Sequence, residues 1–286
     1  SEERLMANIF PESPLVSAQW LAEHHHQVVI LDCSVSRNSA PEGHTLFSSG
    51  QTLFEQQHIP AARFADLFGL YSDTNAELPF TAPDAIRLSL ALRQSGINPQ
   101  DRIVVYDQLS GAYAARVWYL LTAVYGWTHI RVLDGGLVSW LKAGGAIESG
   151  PARSVTPGHA RVHETRPLLL STHAVARDNQ RPKICALRRE QFRQAHLPDS
   201  LNIPYPELLD QYGLIDLQKT RNALVLNGLT APQALLLYCG GGINAAGLAL
   251  ALNASGYPLQ SLFLYDDSLN GWLRDGTHPI ARIPNS

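Results

Sequence analysis

Leu235-Leu236-Leu237-Tyr238-Cys239-Gly240-Gly241-Gly242-Ile243-Asn244-Ala245-Ala246 is the stretch that decides the fold. Leu235 to Tyr238 reads as a strand buried on both faces, because the apolar run is unbroken. Three glycines then allow a tight turn, and Ile243 to Asn253 reads as a helix stopped by Ser255-Gly256. Leu262 to Tyr265 supplies the next strand. A strand that passes through glycine into a helix and then a strand is the building unit of a parallel α/β sheet. Ligands of such sheets gather at the carboxyl ends of the strands, which is where Cys239 stands.

The same text occurs earlier in the chain. Ile103-Val104-Val105-Tyr106-Asp107 matches Leu235 to Cys239, and Leu133-Asp134 with Leu137 and Trp140 matches Tyr265-Asp266 with Leu269 and Trp272. Asp107 to Cys239 and Asp134 to Asp266 share one separation, 132 residues. His58-Ile59-Pro60-Ala61 is echoed 138 residues later by His196-Leu197-Pro198-Asp199. A period this long is no solenoid, so two homologous domains are expected. In the first, Val28 to Leu31, Ile103 to Tyr106 and Ile130 to Leu133 read as strands. Ala82-Pro83-Asp84 opens a helix through Leu92, Ala112 to Tyr125 reads as a helix stopped by Gly126, and a short helix follows Gly135-Gly136 to Leu141. Residues 10–148 form the first expected domain, 149–165 a linker marked by Gly150-Pro151 and Thr156-Pro157-Gly158, and 166–286 the second. Each is expected to be a parallel sheet with helices on both faces.

Composition bounds the function. The 286 residues are 45 % hydrophobic and 16 % charged, which excludes a disordered or fibrous chain. Lys+Arg 22 against Asp+Glu 25 gives a net charge of −3. That argues against a nucleic-acid or membrane partner engaged over the whole surface, while leaving room for a local basic patch. Three cysteines, Cys33, Cys185 and Cys239, are no disulfide framework and fit a reducing, cytoplasmic setting. No apolar run approaches the roughly 18 residues that span a bilayer. Ser1 to Phe10 lacks the apolar core of a signal peptide. Met6, the only methionine, is either a native start behind a short leftover or an internal residue.

Chemically, the glycines let several backbone N–H groups converge on one point, and the following helix adds its positive end. Such a cradle favours an anion, and the nearest is the Cys239 thiolate, so an activated sulfur nucleophile is expected. A cysteine in an apolar setting is otherwise an inert buried thiol. A phosphate-binding loop is disfavoured, since neither G-K-[ST] nor G-x-G-x-x-G is present. A cysteine phosphatase would need an arginine closing the loop, and positions 244 to 247 are Asn, Ala, Ala and Gly.

These motifs resemble the two-domain sulfurtransferases of the rhodanese superfamily. C-G-G-G-I-N-A at Cys239 to Ala245 is similar to the C-G-S-G-V-T-A loop of 3-mercaptopyruvate sulfurtransferases, and less like the C-R-K-G-V-T loop of thiosulfate sulfurtransferases. F-E-Q-Q-H-I-P-A-A at Phe54 to Ala62, R-V-W-Y-L at Arg116 to Leu120, L-D-G-G-L-V-S-W at Leu133 to Trp140 and Y-D-D-S-L-N-G-W at Tyr265 to Trp272 carry the likeness from about Leu15 to Ile280. The resemblance implies a first domain without a catalytic cysteine, in keeping with Asp107, and a second in which Cys239 is the nucleophile. Cys239 would take a sulfane sulfur from a small-molecule donor, become a persulfide, and pass the sulfur to a thiol, cyanide or protein acceptor. Gly240, Gly241, Gly242, Ile243, Asn244 and Ala245 would bind the donor, with no metal and no cofactor. Gly240, in place of the arginine of thiosulfate enzymes, favours 3-mercaptopyruvate over thiosulfate.

The chain departs from the family pattern at three places. Gly241 replaces the loop serine, so His58, which matches the family's first-domain histidine, lacks its hydroxyl partner, and Asn244 replaces the loop threonine. Leu187 and Gln191 stand where D-[AS]-R-x-x-x-R-F supplies arginines, and the E-P-R segment is absent. An anionic donor calls for a cation, and Arg188, Arg189 and Arg193 are nearby substitutes or else solvated helix residues. Cys185 replaces the aspartate whose first-half mate is Asp32; it is a small buried residue or, less in keeping with its setting, a resolving thiol. A degenerate binding or regulatory protein, or a persulfide carrier, is the rival reading. His24-His25-His26 reads as a surface cluster without metal-ligand spacing. Trp140, Trp272 and His196 read as structural, and Arg116 as facing the domain interface or pairing with an acid.

Overall fold

The computed structural model describes residues 9–163 and 166–284. Met6, the last two residues of the expected linker and the last two of the expected second domain lie outside the described residues.

Two five-stranded parallel sheets carry the molecule. The strands are β1 (Leu15–Val16), β2 (Val29–Asp32), β3 (Val35–Ser39), β4 (Thr45–Ser49), β5 (Arg63–Phe64), β6 (Ile103–Tyr106), β7 (Ile130–Leu133), β8 (Leu169–Leu170), β9 (Lys183–Cys185), β10 (Leu201–Asn202), β11 (Leu235–Tyr238) and β12 (Leu262–Tyr265). The first sheet runs β1-β7-β6-β2-β5 and the second β10-β9-β11-β12-β8. Reversed, the second order is the first with every strand replaced by its repeat mate. The central strands β6 and β11 are wholly buried, as their unbroken apolar runs require.

The two copies are tied together in the same way. Tyr106 Oη accepts from Ile59 N at 3.1 Å, and Tyr238 Oη from Leu197 N at 3.0 Å. Trp140 and Trp272 donate their indole N–H groups to Ala146 O and Pro279 O at 2.7 and 2.8 Å. His58 and His196 each stack on a phenylalanine four residues earlier, Phe54 and Phe192, with centroids 3.8 Å apart.

The domains meet through the helices Ala112–Tyr119 and Ile243–Ala254, which pack against each other. The first is fully buried, and at Leu120–Val124 it continues as a π-helical turn, where the sequence predicts an unbroken helix. The interface is reciprocal. Asp134 Oδ1 accepts from Ile215 N at 3.0 Å, and its repeat mate Asp266 accepts through Oδ2 from Ala82 N at 3.0 Å.

Two further features differ from expectation. An antiparallel hairpin, β3–β4, follows β2 and has no counterpart among the described residues of the second half. The expected linker is no loose tether: Gly158 N, Ala160 N and Val162 N donate to Arg93 O, Ile97 O and Ser89 Oγ. Gly158 lies so close to the chain that a Cβ would stand 2.1 Å from Ile97 O.

Candidate active site

β11 ends at Tyr238, and the next residue, Cys239, is 2 % exposed. Its backbone is clamped on both sides: Cys239 N donates to Ser268 Oγ at 3.1 Å, and Cys239 O accepts from Leu269 N at 2.9 Å. Gly242 N donates to Cys239 Sγ at 3.0 Å. Gly242 is the N-cap of Ile243–Ala254 at φ +90°, a conformation open to glycine at little cost. Sulfur thus accepts from an amide at the N-terminus of a twelve-residue helix.

The first domain shows the same cradle holding a carboxylate. Asp107 follows β6 and is 1 % exposed. Its Oδ1 accepts from Leu109 N and Gly111 N at 2.9 and 3.0 Å, and its Oδ2 from Ala114 N at 3.0 Å. Gly111, the N-cap of the next helix, also has a positive φ, +83°. Burial pushes the Asp107 carboxyl up and the three amides pull it back. The fold therefore builds an anion-accepting loop twice, once around a carboxylate and once around sulfur.

A buried cation backs the second loop. Arg116, fully buried, pairs with Asp266 and donates to Phe80 O at 2.9 Å. A Cβ on Gly242 would stand 3.1 Å from Arg116 Nη1 and 2.9 Å from Asp266 O. The two readings offered for Arg116, facing the interface or pairing with an acid, coincide, since its acid Asp266 belongs to the other domain. Ser268 completes the clamp. Its hydroxyl donates to Tyr265 O at 2.7 Å while accepting from Cys239 N. It sits at φ +54°, matching Gly136 at φ +56° in the first half. Sequence reasoning passed over Ser268, although it lies at the repeat position of Gly136.

The other residues named from sequence are dispersed. Gly240, Gly241, Ile243 and Asn244 are half-buried and Gly242 and Ala245 buried, all in the loop and first helical turn. Leu187 Cδ2 stands 3.8 Å from a Cβ position on Gly240, an apolar wall where the family pattern has a cation. Arg188 is exposed at the N-cap of Arg189–Gln194. Arg189 is exposed and paired with Glu207 at 3.0 Å. Arg193 lines a cavity of about 430 Å³ with Glu190, Gln194, Arg282, Ile283 and Pro284, none of them a loop residue. The structure does not bring His58 to the loop. Its Nδ1 faces Phe54 O at 2.7 Å and its Nε2 faces Glu148 at 3.6 Å, so both nitrogens are engaged within the first domain. Cys185 is fully buried, and burial pushes its thiol up to about 12, which keeps it protonated. His24 stacks on Trp20, and His25 faces Pro60 O at 2.7 Å. No group of three metal-ligating side chains occurs among the described residues. No helix among them is long and apolar enough to cross a membrane.

The rhodanese-like domain family matches this chain twice, at residues 17–143 and 176–275. The chain belongs to that family. The chain is similar to a Pseudomonas aeruginosa protein named "Probable 3-mercaptopyruvate sulfurtransferase", 28 % identical over 93 % of this chain and 97 % of the relative. The Rattus norvegicus thiosulfate sulfurtransferase is 27 % identical over 91 % of this chain and 92 % of its own length. The crystal structure of the 3-mercaptopyruvate enzyme SseA from Escherichia coli superposes with a TM-score of 0.77 and 25 % identity, covering 90 % of this chain and 98 % of the other. The two homologous domains read from the repeat are therefore present, and both are rhodanese-like, as the motif resemblance implied.

Proposed function

We propose that this chain, a sulfurtransferase, moves a sulfane sulfur from 3-mercaptopyruvate, or less readily thiosulfate, to a thiol or cyanide acceptor through a persulfide on Cys239. The observation that carries the reading is the Cys239 sulfur 3.0 Å from the Gly242 amide at a helix N-terminus. The names of the two relatives support the two donors. In the first half-reaction the Cys239 thiolate attacks the donor sulfur. With 3-mercaptopyruvate the C–S bond breaks, its electron pair goes to the pyruvate enolate, and the thiol proton moves to that carbon. With thiosulfate the S–S bond breaks and sulfite leaves. In the second half-reaction the acceptor attacks the outer sulfur, the new S–S bond breaks, and the thiolate returns. Loop amides stabilise the anionic sulfur in both states. Three free thiols support a cytoplasmic, reducing setting.

A second reading, a rhodanese-like binding protein or persulfide carrier, is favoured by Leu187 over the loop and by Arg189 being held by Glu207. Turnover with each donor, measured against Cys239→Ser, separates the two. Intact mass adds a direct check: Cys239 should gain one sulfur, about 32 Da, on incubation with donor and lose it on addition of thiol. Donor turnover no faster than in Cys239→Ser overturns the enzyme. A mass gain delivered only by a partner protein would assign a carrier.

A further inference from the structure

Each glycine of the loop has a different neighbour from elsewhere in the chain. Gly240 faces Leu187, Gly242 faces the committed pair Arg116 and Asp266, and Gly241 faces Asn270. A Cβ on Gly241 would meet Asn270 Nδ2 at 3.6 Å as its nearest neighbour. Of these side chains, Leu187 is apolar and buried, Arg116 is buried and Asp266 is held by Arg116 and Ala82 N. Asn270 alone is exposed, polar and without a side-chain hydrogen bond among the described residues. Its position is fixed by three successive ties between the helix Ser268–Asp275 and the loop. These are Ser268 Oγ with Cys239 N, Leu269 N with Cys239 O, and Asn270 N with Gly240 O at 3.0 Å.

We propose that the Asn270 carboxamide is the group that orients an anionic sulfur donor over Cys239. This rests on the sulfur-transfer reading of Cys239. Side-chain-free Gly241 leaves room in the loop that carries Cys239, and the amide of Asn270 borders that room with two N–H donors. A hydrogen bond from a neutral N–H to a carboxylate or sulfonate oxygen is charge-assisted, and a group held by its backbone loses little entropy in making it. A neutral amide thereby does part of the work of the missing arginines, and the apolar Leu187 leaves the donor's anionic end to turn toward Asn270.

Asn270→Ala, Asn270→Asp and Asn270→Gln test this in the full chain. KM for 3-mercaptopyruvate should rise about tenfold in Asn270→Ala, the loss of one good hydrogen bond, with kcat changed much less. Asn270→Asp should lose more through like-charge repulsion, and Asn270→Gln should recover part. A second readout needs no turnover. All three cysteines are buried, so peptide mass mapping is used to follow alkylation at Cys239 separately from Cys33 and Cys185. The rate ratio of anionic iodoacetate to neutral iodoacetamide should fall about tenfold in Asn270→Ala and further in Asn270→Asp, with the iodoacetamide rate unchanged. Unchanged KM and an unchanged ratio in both variants would overturn the role of Asn270. Absence of turnover in the unaltered protein, with the ratio still shifting, would sink the sulfurtransferase reading and leave Asn270 as an anion-orienting residue.

Discussion

Asp107 and Cys239 hold the same station in two copies of one loop. Asp107 Oδ1 accepts from Gly111 N at 3.0 Å and Cys239 Sγ from Gly242 N at 3.0 Å, each glycine capping the following helix. The second loop is one residue shorter, so fewer amides reach the side chain. The carboxylate accepts from three amides of its loop, whereas the sulfur accepts from one. Asp107→Asn replaces one oxygen with an NH2 group facing backbone N–H donors. Stability should fall by about 1–3 kcal/mol, lowering Tm by on the order of 5 °C. Sulfur transfer per folded molecule at 25 °C should be kept. An unchanged Tm in a calorimetric scan would show that the first loop does not need its anion.

Arg116 and Asp266 link the first domain to the base of the Cys239 loop. Removing one partner of a buried pair costs up to about 3–5 kcal/mol, and here the partly buried Asp266 would keep only the Ala82 N–H opposite its charge. Arg116→Ala should therefore destabilise the chain by that order and let the two domains melt separately in denaturant. Arg116→Lys should recover part of the loss, since it restores the charge but not the contact with Phe80 O. A single transition with an unchanged midpoint in Arg116→Ala would contradict this.

Much of this architecture was legible in the sequence, for physical reasons. The central strands are unbroken apolar runs, so Leu235 to Tyr238 and Ile103 to Tyr106 announce themselves. The duplication made Asp107 and Cys239 equivalent before any contact was known. What stayed hidden depends on tertiary placement. Nothing local marks Asp134 and Asp266 as acceptors for Ile215 N and Ala82 N across the interface. The polar hairpin β3–β4 carries little apolar alternation, and Arg37 to Ser39 are exposed. The 149–163 stretch looks like linker because its anchoring uses backbone N–H groups, which leave no trace in side-chain pattern. Asn270 is invisible as a site residue until the loop and the helix Ser268–Asp275 are seen side by side.

Ser268 separates hydrogen bonding from backbone strain. Its hydroxyl bridges Cys239 N and Tyr265 O, while its φ of +54° is one that glycine tolerates better. Ser268→Ala loses the bridge and keeps the strain. Ser268→Gly loses the bridge and relieves the strain, as Gly136 does in the first half. Ser268→Ala should be the less stable of the two, by about 1 kcal/mol. Both should slow sulfur transfer, because Cys239 N is then held by nothing in the chain. Chemical denaturation ranks the variants, and single-turnover persulfide formation measures the second effect. The reverse order of stability would mean that the positive φ carries no strain there.

Asp134 gives the interface a pH dependence whose sign is fixed by burial. Burial, outweighing the Ile215 N–H bond, pushes its carboxyl up to about 6, with Asp210 adding to the rise. The unfolded chain has an ordinary carboxylate that ionises near 3.9. Below that value Asp134 is protonated in both states, and its preference for the folded chain is fully present. As pH rises toward 6 the unfolded state releases its proton first, so stability contributed by this residue is lost across that window, by about 3 kcal/mol in total. Asp134→Asn keeps an oxygen for Ile215 N and carries no charge. Its Tm should match the unaltered protein near pH 4 and exceed it by several degrees at pH 7, with the gap opening between pH 4 and 6. Thermal melts of the two proteins across that range decide the matter, and a gap that stays constant or closes as pH rises would contradict a buried, reluctant carboxylate at the interface.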